Sequence, residues 1–189
     1  MKKFKILIPV YNDWESLIKL LDEINKVITD IKNTEFDCMI VNDASTIKLP
    51  EIKVPKNIKK IEIFNMKQNK GHARCNAFAI RYLSEKDNFD HLIVMDGDGE
   101  DRPEEIKSFV EYLNYASDKP IVGERVKRSE SLFFKFCYST HKILTFAFTG
   151  KSIKFGNYTC LPKSTVEKMI NDKASWSSFS GALTKLEKE

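Results

Sequence analysis

The sequence contains little that would indicate a disulfide, zinc or membrane-spanning protein. Its four cysteines stand far apart, at positions 38, 75, 137 and 160, so the close pairs of a zinc site are absent. Cysteines used in this way are typical of a reducing, cytosolic setting. The apolar run at 6–10 is followed at once by polar residues. It is too short for a signal-peptide core or a membrane span.

The sequence also lacks a large excess of one charge, an internal repeat and a low-complexity tract. The 31 Lys and Arg residues against 27 Asp and Glu residues give a net charge of +4. That is too small to indicate nucleic-acid binding by itself, and it is compatible with a weak attraction to phosphate-bearing ligands or an anionic membrane. A length of 189 residues, 42% of them hydrophobic, suits one globular domain with a substantial core.

What the sequence does contain is an alternation of strand and helix patterns. Apolar runs predict strands at 4–10, 37–41, 60–65, 89–95 and 120–123. Helical spacing predicts helices at 14–31, 71–83 and from 103 to about 115, with a loop at 46–60. The alternation indicates an α/β fold with a mainly parallel sheet. The aromatic segment 131–149 is predicted to form an amphipathic helix.

Polar clusters stand where three of the predicted strands end. They are Tyr11-Asn12-Asp13, Asn42-Asp43 and the acidic run 96–100. Ligands of open α/β sheets bind beyond the carboxyl ends of the strands. We therefore expect a ligand site at this edge of the sheet.

The acidic run has the composition of a metal site. Asp96, Asp98 and Glu100 alternate with Gly97 and Gly99, and on an extended segment alternate side chains share one face. Carboxylate oxygens suit Mg²⁺ or Mn²⁺, often shared with substrate phosphates, and glycines let a bulky ligand approach the backbone. A bare Asp-x-Asp is ordinarily an acidic surface turn, but its position after a buried strand favours the metal site.

Asn42 and Asp43 have two interpretations. Their amide and carboxylate can hydrogen-bond a base or a ribose, or they can form an Asx turn that caps the backbone. The company of the acidic run at the same edge favours the functional interpretation.

Two basic segments are similarly ambiguous. The amides and cations at 69–74 can bind phosphate, or they can simply begin a helix, which is the preferred interpretation for His72. Arg125 and Arg128, with Lys127 between them, can clamp a phosphate, or they can form a solvated basic run.

Four motifs, in order and in spacing, resemble glycosyltransferase family 2, whose members have the GT-A fold, a Rossmann-like three-layer sandwich. They are Ile8-Pro9-Val10-Tyr11-Asn12-Asp13, Val41-Asn42-Asp43-Ala44-Ser45, Asn69-Lys70-Gly71-His72 and the run 96–104. The segments 124–131, 149–151 and 155–158 resemble the dolichyl-phosphate-mannose-synthase-like branch, which includes bacterial polyprenyl-phosphate glycosyltransferases.

The resemblance implies a metal-dependent, inverting glycosyltransferase of hexosyltransferase type, acting in cell-envelope biosynthesis. The donor would be a nucleotide-diphosphate sugar and the acceptor a polyprenyl phosphate or a cell-surface glycan. The implied location is cytoplasmic, at the inner face of the membrane with peripheral contact.

The site residues that the resemblance implies fall into three groups. The residues implied to bind the nucleotide sugar are Pro9, Tyr11, Asp13, Asn42, Asp43, Lys70, Gly71, Arg74, Asp96 and Gly97. The implied catalytic residues are Asp96, Asp98, Arg125 and Arg128. The implied ligands of Mg²⁺ or Mn²⁺ are Asp98, Glu100 and Asp96.

The expected organisation is one catalytic domain over 1–189, with a nucleotide-sugar part at 1–123 and an incomplete acceptor-side part at 124–189. Because members of this branch usually continue further, we expect a truncated or a short form. Glu100 stands where lipid-phosphate members often carry Gln, Asn157 where many carry Asp, and Asn42 replaces a usual Asp. These departures bear on the sugar and the acceptor more than on the fold.

Two other functions fit parts of the pattern. A nucleotidyltransferase would share the architecture but would have a glycine-rich phosphate loop after the first strand, where 9–13 contains no glycine. A non-catalytic, membrane-associated interaction module would account for the aromatic and basic segment 133–148.

Overall fold

A computed structural model describes residues 1–116, 118–124 and 155–186. The strands are β1 (Lys2–Val10), β2 (Thr34–Asn42), β3 (Lys60–Asn65), β4 (His91–Val94), β5 (Ile121–Glu124) and β6 (Phe155–Pro162). The helices of the described residues are α1 (Trp14–Ile28), α2 (His72–Lys86), α3 (Glu105–Tyr112), α4 (Lys163–Asn171) and α5 (Phe179–Leu186), with a 3₁₀ turn at Lys173–Trp176. Arg125, Arg128 and the predicted helix at 131–149 lie outside the described residues.

The strands form one sheet in the order β3-β2-β1-β4-β6-β5. β1 pairs in parallel with β2 and β4, and β2 with β3. β6 runs antiparallel to both β4 and β5, so it alone of these six opposes the common direction. The predicted α/β class with a mainly parallel sheet is confirmed.

Both faces of the sheet are covered, which makes the molecule a three-layer sandwich. On one face α1 and α3 pack on alternate strand residues such as Ile6, Ile40 and Ile93. On the other face α2, α4 and α5 pack on the residues between them, such as Leu7 and Val94. Because strands buried on both faces need apolar side chains on each face, β1 is continuously apolar from Ile6 to Val10.

Element boundaries differ from the sequence predictions in small ways. Helix α1 ends at Ile28, three residues before the predicted end. Pro9 lies inside β1, as the predicted strand at 4–10 requires. The last pair of β1 with β4 is Leu7 with Val94, so the missing N–H of Pro9 costs no hydrogen bond in that ladder.

Candidate functional site

A cleft of about 460 Å³ lies beyond the carboxyl ends of β1 and β4. From β1 the chain continues to β2 and β3 on one side, and it then crosses back to β4 on the other side of β1. This reversal of strand order is where ligands bind in open α/β sheets. The lining residues come from the ends of β1 and β4 and the start of α2: Pro9, Val10, Tyr11, Asp13, His72, Asp96, Gly97, Asp98 and Glu100.

The wall that follows β1 is held by Asn12. This residue has a positive φ of 57°, and its Oδ1 accepts hydrogen bonds from the amides of Thr46 (2.7 Å) and Ile47 (3.0 Å). Asp13 caps α1 by accepting from the amide of Ser16 at 3.2 Å. The segment therefore has a fixed course, and Tyr11, 48% exposed, lies on the cleft surface.

The acidic wall that follows β4 is a turn. Oδ1 of Asp98 accepts from the amide of Glu100 at 3.0 Å, and Gly99 has a φ of 80°, a conformation that glycine adopts without steric cost. The prediction that three carboxylates share one face of an extended segment is therefore wrong. An Asx-type bond competes with extended backbone after Asp, so Asp98 and Glu100 stand exposed on a turn while Asp96 is half-buried.

Asp96 is fixed from two sides. Its Oδ1 accepts from Nδ2 of Asn157 at 3.1 Å, and its amide donates to Oδ2 of Asp101 at 2.8 Å. Asp101 precedes α3 but does not cap it, since the cap position of α3 is Glu104. Asp101 is buried and binds the start of the acidic turn instead. Asn157 on β6 is thus a site residue whose local contact sequence reasoning did not anticipate.

Gly97 is needed for close backbone packing. A Cβ at this position would lie 2.9 Å from the carbonyl oxygen of Pro9 and 3.3 Å from Cγ2 of Ile8. Only glycine lets the acidic turn approach the end of β1 this closely. Gly97 therefore allows the acidic turn to approach β1 of the protein itself. This contact sets the distance between the two walls of the cleft.

Asn42 and Asp43 make backbone contacts behind the cleft. Oδ1 of Asn42 accepts from the amide of Ser45 at 2.9 Å, which is the Asx turn weighed as the ordinary alternative. The two carboxylate oxygens of Asp43, which is 3% exposed, accept from the amides of Lys70 and Gly71, each at 2.7 Å. The end of β2 is in this way joined to the start of α2.

Burial and the neighbouring Asp43 raise the pKa of the Cys75 thiol to about 12. Cys75 lies one turn into α2 and is fully buried. Because a thiol is nucleophilic and metal-binding only when deprotonated, Cys75 is an inert packing residue.

Lys70, Gly71 and Arg74 were expected to meet phosphate, but none of them lines the cleft. The guanidinium of Arg74 lies 5.8 Å from the ring centroid of Trp176, and that of Arg81 lies 4.1 Å from it. From the sequence, His72 was interpreted as simply part of a helix start. It is the residue of this segment that lines the cleft.

The carboxylate oxygens around the cleft are the type of ligand that binds a hard divalent cation. Within 1–116, 118–124 and 155–186, no group of three or more His, Cys, Asp or Glu side chains is arranged to hold a metal ion. Mg²⁺ is commonly bound by one or two carboxylates together with substrate phosphates. The exposed carboxylates of Asp98 and Glu100 suit that arrangement.

Comparison with known families decides the class. Residues 5–175 match the family model described as Glycosyl transferase family 2. The chain belongs to glycosyltransferase family 2. The nucleotidyltransferase alternative has no comparable support.

Curated relatives in this family share about 29% identity with the chain. One is the undecaprenyl-phosphate 4-deoxy-4-formamido-L-arabinose transferase of Photorhabdus laumondii, 29% identical over 167 residues that make up 85% of this chain and 48% of the relative. The enzyme of the same description from Yersinia pestis is 29% identical over 90% of this chain and 52% of its own length. The chain spans about half the length of these relatives.

Solved structures share the fold of this family 2 member. S. aureus TarS 1-349 superposes with a TM-score of 0.60 at 16% identity, over 97% of this chain and 55% of TarS. The Pyrobaculum calidifontis mannosyltransferase PcManGT, in complex with GDP-Man and Mn²⁺, superposes with a TM-score of 0.58 at 16% identity, over 88% of this chain and 46% of its own. The fold is GT-A.

One property of the helices bears on how the chain could meet a membrane. Among the residues that the structure describes, no helix combines the length and apolar character needed to cross a bilayer.

Proposed function

We propose that this chain carries the donor-binding and catalytic site of a glycosyltransferase that moves a sugar from a nucleotide diphosphate to a polyprenyl phosphate. The observation that carries the proposal is the acidic cleft at the reversal of strand order, between the ends of β1 and β4. Family membership supports sugar transfer. The undecaprenyl-phosphate relatives support the acceptor class.

Each wall of the cleft has a proposed part in donor binding. Pro9, Tyr11 and Asp13 on the β1 wall, with Asp96 and Gly97 opposite, would contact the nucleotide sugar. Five further residues that were predicted to bind the nucleotide sugar are not among the lining residues of the cleft: Asn42, Asp43, Lys70, Gly71 and Arg74. Of these, Asp43 would support the site by holding the start of α2. Arg125 and Arg128 are proposed to hold a phosphate of donor or acceptor, and both lie outside the described residues.

A divalent cation, Mg²⁺ or Mn²⁺, would be held by Asp98 and Glu100 with Asp96 beside it. When bound, the cation supplies electrostatic stabilisation of the diphosphate as it leaves. Asp96, fixed by Asn157 and by the link to Asp101, would orient the donor, since its own position does not depend on the ligand. Tyr11 and Asp13, on a wall held by Asn12, would exclude water from one side of the donor.

The acceptor class determines whether a base is needed. A lipid phosphate is already anionic, so its oxygen can attack the sugar carbon without losing a proton first. A hydroxyl acceptor would require a carboxylate base. A single displacement by the phosphate inverts the configuration at the sugar carbon, which is the proposed stereochemistry.

A polyprenyl-phosphate acceptor places the reaction at a membrane surface. We propose that the enzyme acts at the cytoplasmic face of the membrane, in peripheral contact with the lipid. Co-sedimentation with liposomes tests this contact: absence of binding to both anionic and neutral vesicles would remove the peripheral role while leaving donor binding intact.

Replacing Asp98 with Asn tests the donor site most sharply. Asn keeps an Oδ1 that can accept from the Glu100 amide, so the turn is retained, but the charge is lost. We expect Mn²⁺-dependent affinity for nucleoside diphosphates, measured calorimetrically over a panel of UDP, GDP, CDP and dTDP, to fall by at least about tenfold. Affinity without metal should not change.

The matched control is Asp22→Asn on the exposed surface of α1, which should bind as wild type does. A wild-type chain that binds no nucleoside diphosphate with or without Mn²⁺, or an unchanged affinity in Asp98→Asn, would overturn the proposal. A chain that binds donors but transfers no sugar to a polyprenyl phosphate or glycan in a radiolabel assay would instead support the non-catalytic interaction module.

A further inference from the structure

The start of α2 contributes one basic side chain to the cleft. Among the described residues that line it, four carry carboxylates, namely Asp13, Asp96, Asp98 and Glu100. His72 is the basic residue in the described lining, and it is exposed. An anionic ligand that enters this acidic cleft needs donors and positive charge to offset the repulsion from the carboxylates.

The neighbours of His72 in sequence are engaged elsewhere. The amides of Lys70 and Gly71 are satisfied by Asp43, so they do not offer hydrogen bonds to a ligand. Arg74 follows His72 by two residues, about 200° around the helix, and its guanidinium lies near the ring of Trp176. His72 is therefore the member of segment 69–74 whose side chain is placed at the cleft.

The same face of α2 carries a second polar group below His72. Asn76, four residues on, lies about 40° around the helix from His72. It is fully buried, and neither its Nδ2 nor its Oδ1 has a hydrogen-bond partner. Buried amide side chains normally have hydrogen-bond partners. On this face of the helix, Asn76 could therefore still donate and accept hydrogen bonds that no described protein group makes with it.

We propose that His72 binds a phosphate oxygen of the nucleotide diphosphate, opposite the acidic turn, as a donor-binding residue of the proposed reaction. The imidazole would donate an N–H hydrogen bond from the first residue of the 15-residue helix α2, whose aligned peptide dipoles also favour an anion at this end. The inference rests on the proposed function, because it takes the cleft to be the donor site.

The test compares nucleoside diphosphates with nucleoside monophosphates. For His72→Ala, we expect affinity for the nucleoside diphosphate identified in the panel, with Mn²⁺, to fall about tenfold, the loss expected for one hydrogen bond to a charged acceptor. Affinity for the matching monophosphate should fall less. The preference of the site for diphosphate over monophosphate should therefore shrink.

Two further variants separate binding from folding. His72→Gln retains an N–H donor and should recover part of the lost affinity. Lys86→Ala removes an exposed basic side chain from the other end of the same helix and should bind as wild type does. Thermal unfolding of all variants should match wild type, because each of these side chains is exposed.

Three results would overturn the assignment. One is an unchanged preference for diphosphate in His72→Ala, when wild type binds nucleoside diphosphates well. The second is an equal loss in Lys86→Ala. The third is an unchanged donor affinity with a raised KM for polyprenyl phosphate, which would show that His72 meets the phosphate of the acceptor. A wild-type chain that binds no nucleotide would refute the proposed function itself, which distinguishes the two failures.

Discussion

Polar residues at the cleft and beside it make hydrogen bonds within the protein. Asp13 caps α1, Asp98 accepts from the amide of Glu100, and Asp43 binds two amides at the start of α2. Loop backbone needs such partners, because buried N–H groups without one are costly. From the sequence, a functional and a structural interpretation of Asn42 and Asp43 competed, and the structural contacts are present.

Gly97 shows how a single residue sets the width of the cleft. We expect Gly97→Ala to push the acidic turn away from β1, since the added Cβ would meet the backbone oxygen of Pro9 at 2.9 Å. Backbone cannot move aside as a flexible side chain can. The free energy of unfolding in urea should fall by about 1–3 kcal/mol, and affinity for nucleoside diphosphates should fall with it.

Gly99→Ala is the comparison for this prediction. A Cβ on Gly99 would meet nothing within 4 Å, so the cost is only that of a positive φ, roughly 1 kcal/mol. Wild-type stability and affinity in Gly97→Ala would show that the close approach of the two walls is not required.

At the scale of elements, the sequence predicted those with a strong local pattern. β3 occurs where the apolar run placed it, and the helix predicted at 71–83 occurs as α2, His72–Lys86. β6 was not predicted as a strand. Its residues alternate only weakly between apolar and polar, and its position between β4 and β5 depends on pairing with distant strands. Local periodicity carries no information on such pairing.

A buried lysine joins three strands near their amino ends, on the opposite side of the sheet's strand ends from the cleft. Nζ of Lys5, a residue 2% exposed, lies 3.3 Å from Asp37 on β2, 3.8 Å from Glu62 on β3 and 2.5 Å from Asp87 after α2. Burial raises the pKa of Asp87, but the hydrogen bond and the charge of Lys5 outweigh this, so the pKa lies below the usual 3.8.

The sign of this pKa shift predicts a loss of stability in acid. A carboxyl whose pKa is lower in the folded state stabilises the fold above its unfolded pKa, and this contribution is lost as pH falls through the folded value. Wild type should therefore lose stability below about pH 4. Lys5→Met should cost about 1–3 kcal/mol near pH 7, less than for a fully buried pair, because it leaves three partly exposed carboxylates without their cation.

Lys5→Met should become more stable as the pH falls from 7 to 5, a range in which the stability of wild type should change little. Three neighbouring carboxyls without a cation hold protons more tightly when folded, so acid relieves their repulsion. Urea unfolding as a function of pH measures both profiles. The control, Lys60→Met, removes an exposed partner of Glu62 and should stay close to wild type, as surface pairs contribute little. Coincident profiles of Lys5→Met and wild type would show that the cluster contributes no stability.

On the scale of the whole molecule, the two predicted parts of the chain share one sheet. β6 belongs to the part that begins at residue 124, and it lies between β4 and β5, which belong to the earlier part except for Glu124. The sequence predicted a single domain with two functional parts, and that division remains a prediction. Because β6 pairs with strands of the earlier part, neither part alone contains all the strands with which its own strands pair.

The chain's two tryptophans can test whether the parts unfold together. Trp14, the first residue of α1, is buried in the core on one face of the sheet. Trp176 packs against Arg81 on α2, on the other face. Trp14→Phe and Trp176→Phe each leave a single tryptophan as the fluorescence reporter. We expect the two variants to unfold in urea at the same midpoint, once the effect of each substitution on total stability has been corrected for. One sheet buried between two cores should lose both together, as small cooperative domains do. An earlier transition at Trp176, with Trp14 still native, would mean that β6 and the helices after it unfold separately from the part of the chain before residue 124.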